Sequence, residues 1–259
     1  MQGKSIRTLH KEYIMVIHGY NKTTLLDYPE HVACTVFTGH CNMRCPFCHN
    51  GDLVLMPGSQ PTVPEEEFFA FLNKRKNILE GVAITGGEPT LQKDLPEFIE
   101  RIKDLGLLVK LDSNGMKPEV LRSLIEKGTV DYLAMDIKSD KAHYGETIGI
   151  PDLDLGPVEE SVALLMENKV PYEFRTTVIK EFHNKDIFEG IADWIGGCEK
   201  YFLQSYVDSH RILKDFLPDE EKLKYPAEFT AYTPEELKEF ETLLINRGMK
   251  YVHVRGIAE

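Results

Sequence analysis

The sequence predicts an α/β fold, a partial (β/α)6 TIM-like barrel of parallel strands with an N-terminal strand and a C-terminal helix-strand appendage. Short β-branched runs alternate with amphipathic helical runs from residue 31 to residue 204, which is the pattern of right-handed βαβ units. A chain of 259 residues that is 42% hydrophobic can bury a core of this size. Polar signatures follow the successive predicted strands, where the loops of a barrel carry its reactive groups.

The N-terminal region, residues 1–20, reads as a polar leader followed by a strand at residues 14–20, and a turn is predicted at residues 23–29. The core domain is then expected to span residues 21–205. Its further strands are predicted at residues 31–38, 82–85, 107–111, 132–137, 172–178 and 201–204, and its helices at residues 65–72, 95–105, 118–126, 158–168 and 187–195.

The C-terminal extension, residues 206–259, has a looser pattern. Thr233-Pro234-Glu235-Glu236 supplies a cap, a proline and acidic first-turn residues, so a helix is predicted to start there and continue to residue 247. A last strand is predicted at residues 251–255. We expect this extension to pack on the barrel.

Composition excludes several classes of function. The chain has 42 acidic and 30 basic residues, and its net charge of -12 opposes a surface built to neutralise phosphates, so nucleic acid is not an expected partner. The sequence contains neither the apolar run of a signal peptide nor an apolar stretch long enough for a membrane helix. We therefore expect a cytoplasmic protein with no membrane partner.

Three cysteines, Cys41, Cys45 and Cys48, lie within eight residues after the strand at 31–38. This spacing favours an iron–sulfur cluster. A zinc site normally takes ligands from a second, distant cysteine pair, which is missing here. A redox pair at Cys45 and Cys48 is disfavoured by the third thiol just upstream. The other two cysteines are expected to be a core residue (Cys34) and a bystander (Cys198).

Three thiolates leave one iron of a four-iron cubane without a cysteine, because such a cluster ordinarily takes four. An open iron is a place where a substrate or cofactor can coordinate, as the free position of a catalytic zinc site is. The sequence therefore predicts that the chemistry occurs at this loop.

The cysteine run, followed by Gly86-Gly87-Glu88, resembles the radical S-adenosylmethionine (SAM) superfamily. Asp112-Ser113-Asn114-Gly115 and Met135-Asp136-Ile137-Lys138 narrow the resemblance to the activating enzymes of glycyl-radical enzymes. Leu25-Leu26-Asp27-Tyr28-Pro29 is most similar to activators of anaerobic ribonucleoside-triphosphate reductase. The resemblance covers residues 19 to 204.

The resemblance implies a [4Fe-4S] cluster and SAM as cofactors, together with a monovalent cation. Cys41, Cys45 and Cys48 would ligate the cluster, and Phe47 and His49 would flank the adenine. The remaining implied roles are ammonium binding by Gly86, Gly87 and Glu88, a cation site of Asp112, Ser113, Met135 and Asp136, and contacts from Lys138 and Arg175 to the carboxylate and ribose of SAM.

Two of these assigned roles have a simpler structural explanation. Gly86-Gly87 also suits an ordinary tight turn, and Asp136 with Lys138 suits a surface ion pair, because residues two apart share one face of a strand. The SAM-contacting histidine that related pyruvate formate-lyase activators have after the sixth strand is missing, and either Tyr206 or His210 could replace it. His183 and Asn184 could line the rim, although a lone loop histidine is more often solvated.

The implied activity is abstraction of a Cα hydrogen from a glycine of a large glycyl-radical enzyme, with anaerobic ribonucleoside-triphosphate reductase as the first candidate. No catalytic acid or base is needed, since the cofactors carry the hard step. A flavodoxin- or ferredoxin-like electron donor is implied as well. The alternatives are activation of another glycyl-radical enzyme of the pyruvate formate-lyase type, a radical SAM enzyme acting on a small molecule such as a pterin, and an electron-carrying module without SAM turnover.

Overall fold

An eight-stranded sheet forms the framework of the protein, which we describe from a computed structural model covering residues 15–209 and 211–256. The strands lie side by side in chain order. They are β1 (Ile17–Thr24), β2 (Ala33–Thr38), β3 (Gly81–Gly86), β4 (Leu108–Ser113), β5 (Tyr132–Asp136), β6 (Tyr172–Val178), β7 (Tyr201–Ser205) and β8 (Val252–Arg255).

Strands β2 to β8 run parallel to one another, and β1 pairs with β2 in the antiparallel sense. Within the described residues the two edge strands, β1 and β8, do not pair with each other, so the sheet is not closed. The predicted fold class, a partial barrel of parallel strands, is confirmed.

Helices lie between the strands. They are α1 (Gly51–Leu55), α2 (Glu65–Arg75), α3 (Leu95–Lys103), α4 (Pro118–Lys127), α5 (Tyr144–Thr147), α6 (Gly156–Met166), α7 (Lys185–Ile195), α8 (Asp219–Lys222) and α9 (Pro234–Asn246). The six longest lie where the alternating pattern predicts them, and the three short ones, α1, α5 and α8, were not predicted. Short 3-10 turns lie at Pro57–Ser59, Pro89–Leu91 and Leu213–Phe216.

The apolar core lies between the sheet and these helices. In α3 the buried residues Leu95, Phe98, Ile99 and Ile102 recur at the spacing of one helical face. The helix therefore lays an apolar stripe on the sheet beside β4 and turns its charged residues to solvent.

The opposite, concave face of the sheet is polar. Along β4 to β6 every second side chain points there, because side chains alternate between the two faces of a strand. Asp112, Asp136 and Arg175 all line a single cavity on this side. The fold thus collects charged groups in the interior of the half-barrel, next to the loops that follow the strands.

Both ends of the sheet differ from the prediction in detail. Residue 14 of the predicted first strand lies outside the described residues, and β1 continues to Thr24, into the predicted turn, because it pairs with β2 as far as Ala33. The predicted last strand, β8, pairs with β7 from Tyr201 opposite Val252. The C-terminal extension therefore supplies a seventh parallel strand to the sheet itself.

None of the helices in residues 15–209 and 211–256 combines the length and the apolar character needed to cross a membrane.

Candidate functional site

The three predicted cysteine ligands lie together on the loop between β2 and α1. Cys41, Cys45 and Cys48 are free thiols that line one cavity of about 470 Å³. The Cys48 N–H donates to the Cys45 carbonyl at 3.0 Å, and the Met43 N–H donates to the Cys41 Sγ at 3.3 Å. This cavity volume is typical of a cofactor site.

The chemistry of these thiols fits a metal centre. Burial raises the pKa of Cys41 to about 11 and that of Cys45 to about 12. The raised pKa values oppose formation of the thiolates. A bound cationic metal centre overcomes this effect, because it stabilises the thiolate directly. Among the described residues, no group of three His, Cys, Asp or Glu side chains is arranged closely enough to hold a single metal ion. Thiolates are the usual ligands of iron–sulfur clusters, so the type of donor on this loop fits such a cluster.

The loop after β3 packs directly on the cysteine loop. Backbone N–H groups of Gly87 and Glu88 donate to the carbonyls of Thr38, at 2.8 Å, and His40, at 2.6 Å. A Cβ on Gly86 would lie 2.4 Å from the Thr38 backbone, and one on Gly87 would lie 2.0 Å from the His40 carbonyl oxygen. The paired glycines are therefore required for contact between the two loops, a reason that the sequence analysis did not supply.

Glu88 joins this loop to the loop after β4. One carboxylate oxygen accepts hydrogen bonds from the Thr90 backbone N–H at 3.1 Å, from the Thr90 hydroxyl at 2.5 Å and from the Ser113 hydroxyl at 3.0 Å. The other accepts the Asn114 backbone N–H at 2.7 Å. Burial raises the pKa of Glu88, while these four hydrogen bonds act in the opposite direction. Glu88 lines the cavity and also holds its rim together.

A chain of five charged groups crosses the cavity floor. Arg175 lies between two carboxylates, 3.0 Å from Asp112 and 2.5 Å from Asp136. Lys138 contacts Asp136 at 2.8 Å, and Lys110 contacts Asp112. The Asp136–Lys138 pair is thus part of a buried network, not the surface pair that the sequence analysis weighed.

Three cations contact two carboxylates in this network, and Lys138 and Arg175 are the two of these cations that line the cavity. Burial alone would raise the pKa of Asp112 and of Asp136, but Arg175 and the adjacent lysines hold both below their usual range. Burial likewise opposes the charged form of Lys138, and Asp136 more than compensates by raising its pKa. Lys138 and Arg175 thus place positive charge at this floor, beside the two carboxylates.

The remaining predicted contacts fall into two groups. Phe47 lines the cavity and packs in an aromatic cluster with Phe182 and Phe229 at ring distances of 5.8 and 6.1 Å. The Met135 side chain lies beside Gly115, away from the cavity. The structure therefore brings every other predicted site residue to the cavity wall and leaves the side chain of Met135 outside it.

Tyr206, one of the two predicted replacements for the missing histidine, lies in the region after β7. Tyr206 is buried and lies 5.3 Å, ring to ring, from the cavity-lining His49. His210, the other candidate, lies outside the described residues. Gln204 was not among the predicted site residues, yet it lines the cavity from the end of β7. It lies two residues after Phe202 and therefore on the same face of the strand, and this alternation is the signal that could have identified it.

His183 is buried, so the expectation of a solvated loop histidine is wrong. Its Nδ1 accepts the Ile179 backbone N–H at 3.2 Å, and its Nε2 donates to the Lys138 carbonyl at 2.9 Å. Burial lowers the pKa of His183 to about 4. The neutral ring fixes the backbone of Lys138. Asn184 serves as the N-cap of α7, accepting the Ile187 N–H at 3.1 Å.

Two cysteines remain outside the site. Cys34 is buried in the apolar core, as predicted, and Cys198, expected to be a bystander, is buried there too and does not line the cavity.

Comparisons with known proteins agree with this geometry. A protein of Methanocaldococcus jannaschii described as "Putative glycyl-radical enzyme activating enzyme MJ1227" is 30% identical over 218 residues, which cover 81% of this chain and 89% of that protein. A GTP 3′,8-cyclase of Aquifex aeolicus is 29% identical over 174 residues, 63% of this chain and 52% of the cyclase. The chain thus matches about half the length of that cyclase.

Solved structures share the fold. Streptococcus suis SuiB bound to S-adenosylmethionine superposes with a TM-score of 0.63 at 15% identity, covering 85% of this chain and 49% of that one. TYW1 with a lysine-pyruvate adduct superposes with a TM-score of 0.56 at 17% identity, covering 83% and 73%. The radical SAM superfamily profile matches residues 35–195, which is more than half of the chain. With its three free thiols gathered in one cavity, the chain therefore belongs to the radical SAM superfamily, which implies a [4Fe-4S] cluster and SAM as its cofactors.

Proposed function

We propose that this protein activates a glycyl-radical enzyme by abstracting a Cα hydrogen from one glycine, and that the partner is an anaerobic ribonucleoside-triphosphate reductase. The observation that carries the proposal is the extent of the cavity. It contains the three thiols and reaches Asn21, Asp27 and Thr35 at the unclosed edge of the sheet. Asn21 is solvent-exposed, so a loop of another protein has a lateral entrance.

Sequence similarity supports the class of partner. A relative that matches 81% of this chain is described as an activating enzyme of this type, and a second Methanocaldococcus jannaschii protein described in the same way is 27% identical over 197 residues. The Leu25-Leu26-Asp27-Tyr28-Pro29 segment supports the reductase in particular, and Asp27 lines the entrance. Activation of a pyruvate formate-lyase type enzyme is the nearest alternative.

Different residues of the cavity would bind the cluster and the separate groups of SAM. Cys41, Cys45 and Cys48 would hold the cluster, and Lys138 and Arg175 supply the positive charge for the SAM carboxylate. Gly86, Gly87 and Glu88 would receive its ammonium, with Phe47 and His49 beside the adenine. When bound, the cluster and SAM supply a 5′-deoxyadenosyl radical after one electron arrives from a flavodoxin- or ferredoxin-like donor. The protein orients the reactants and excludes water.

The implied monovalent cation stays a prediction. Asp112 and Asp136, its two charged ligands, already contact Arg175 and the lysines at positions 110 and 138. A cation bound there would have to compete with these contacts.

The test is a radical assay with purified proteins. Anaerobically reconstituted protein, SAM and dithionite are mixed with a candidate reductase, and electron paramagnetic resonance (EPR) is used to look for a glycyl doublet. We expect the doublet with wild-type protein and none with Cys45→Ser or with a reductase whose radical glycine is changed to alanine. Release of 5′-deoxyadenosine without a doublet, across reductase and pyruvate formate-lyase type partners, would contradict the proposal.

A small-molecule reaction is the second candidate, favoured by the similarity to the GTP 3′,8-cyclase. The same assay with GTP in place of the partner distinguishes it. SAM cleavage that depends on GTP and leaves a rearranged nucleotide would support the cyclase-type reaction over the activase.

A further inference from the structure

The segment after β7 lies directly on the cysteine loop. The backbone N–H groups of Leu213 and Lys214 donate to the carbonyls of Cys48, at 2.8 Å, and Pro46, at 2.9 Å. Leu213 is fully buried and lines the cavity, and a Cβ on Gly51 would lie 2.5 Å from the Leu213 Cα. This segment therefore belongs to the wall of the cluster site.

Lys214 brings a positive charge into that wall. Its side chain is only 6% exposed. The ammonium group donates to the Pro226 carbonyl at 2.7 Å and to the Ala227 carbonyl. In the part of the chain that the structure describes, no carboxylate forms an ion pair with it. Buried lysines are almost always paired with an acidic group, because an unpaired charge is costly to bury.

Aromatic rings separate this charge from the cysteines. The Lys214 ammonium lies 5.4 Å from the centre of the Phe229 ring, and that ring lies 6.1 Å from the ring of Phe47, the residue between Cys45 and Cys48 in the loop. Charges interact more strongly through buried, apolar surroundings than through water. Two other cations lie near the cysteines: Lys138, which contacts Asp136 at 2.8 Å, and Arg44, which is solvent-exposed and donates to the Cys41 carbonyl at 2.6 Å.

We propose that Lys214 tunes the reduction potential of the cluster. Uptake of one electron from a one-electron donor makes the cluster one unit more negative, and a fixed positive charge behind the loop stabilises that reduced state. Local charge, hydrogen bonding and solvent exposure are the means by which proteins set the potentials of iron–sulfur clusters. The Lys214 charge makes the cluster easier for its donor to reduce. This inference rests on the cluster and does not depend on the identity of the partner enzyme.

The test is a redox titration of the reconstituted cluster followed by EPR. Lys214→Met retains the apolar stem, and Lys214→Gln retains hydrogen-bond donors, but both remove the charge. Lys214→Arg retains the charge. We expect both neutral variants to lower the equilibrium constant for reduction at least threefold, a fall of about 28 mV at about 59 mV per tenfold change. The arginine variant should match the wild type.

Lys224→Met is the matched control, since Lys224 lies just after α8 and is solvent-exposed. Its potential should not change. Iron content and melting temperature are measured on every variant. An unchanged potential in either neutral variant would overturn the proposal. The proposal would also be overturned if both neutral variants failed to take up iron while Lys214→Arg took up iron normally. Lys214 would then act only as a structural support.

Discussion

At the scale of single residues, Glu88 has a structural task at the rim as well as its proposed contact with SAM. Its two carboxylate oxygens accept four hydrogen bonds from two different loops. An amide in its place would direct an N–H group at one of those donors. The geometry of the rim therefore depends on the carboxylate.

We predict that Glu88→Gln lowers the free energy of unfolding by about 1 to 3 kcal/mol, the usual cost of an unsatisfied buried hydrogen-bonding group. Urea denaturation followed by circular dichroism measures this. Glu239→Gln, at an exposed position of α9, is the control and should leave the stability unchanged. Equal stability of Glu88→Gln and wild type would show that the four hydrogen bonds do not hold the rim.

His183 makes stability depend on pH. The pKa of its buried ring is about 4, whereas an unfolded histidine titrates near 6.5. Between these values the unfolded chain binds a proton that the folded chain does not, so stability falls as the pH falls. The contribution is at most about 1.4 kcal/mol for each pH unit.

The measurement is a series of urea denaturations from about pH 7 to about pH 4.5, the window in which this histidine contributes. We predict a smaller loss of stability on acidification for His183→Asn than for wild type, although the variant is less stable at neutral pH. Identical slopes for wild type and His183→Asn would contradict the assignment.

Residue by residue, the sequence predicted the site unevenly. The three cysteines and the Asp136–Lys138 pair were found because their spacing is itself the signal. Lys110 and Lys214 were missed, since a lone lysine in a strand or in a proline-rich segment is usually on the surface. Lys110 and Asp112 have the same spacing as Asp136 and Lys138, which could have identified this pair. Lys214 is held by the Pro226 carbonyl, a backbone group that no sequence pattern marks.

At the scale of elements, the contact between the loop after β3 and the cysteine loop positions the site. The two loops contact each other through their backbones, and this contact leaves no room for a side chain at the glycine positions. Any side chain at Gly87 must move the carbonyl of His40, which directly precedes Cys41.

We predict that Gly87→Ala destabilises the protein by about 1 to 3 kcal/mol, as overpacking usually does, and lowers the iron bound after reconstitution. Thermal denaturation and iron analysis measure the two effects. Gly58→Ala is the matched control, because a Cβ on Gly58 meets no atom within 4 Å. Wild-type stability and full iron content in Gly87→Ala would rule out the loop contact as a positioning device.

The alternating strands and helices were predicted within a few residues, because their hydrophobic periods are regular. The path of the C-terminal extension was not predicted. Its last strand was predicted, but its pairing with β7 and the contact of Leu213 with Cys48 depend on tertiary packing. A charged, proline-broken segment has no period from which such packing can be inferred.

At the scale of the whole molecule, the unclosed sheet is the feature that links fold to function. One cavity contains the three thiols, the charged floor and the entrance beside β1. Under the proposed function, a bound SAM molecule and a loop of the partner protein would meet inside it. The chain's own side chains would orient these reactants, and none of them would need to act as an acid or a base.

The most direct measurement is the fate of the hydrogen atom. The partner enzyme is prepared with glycine deuterated at Cα, activated with this protein, SAM and dithionite, and the released 5′-deoxyadenosine is analysed by mass spectrometry. Our account predicts 5′-deoxyadenosine that carries one deuterium. Unlabelled 5′-deoxyadenosine, formed in the presence of a partner that does acquire its glycyl radical, would contradict direct abstraction of the glycine hydrogen.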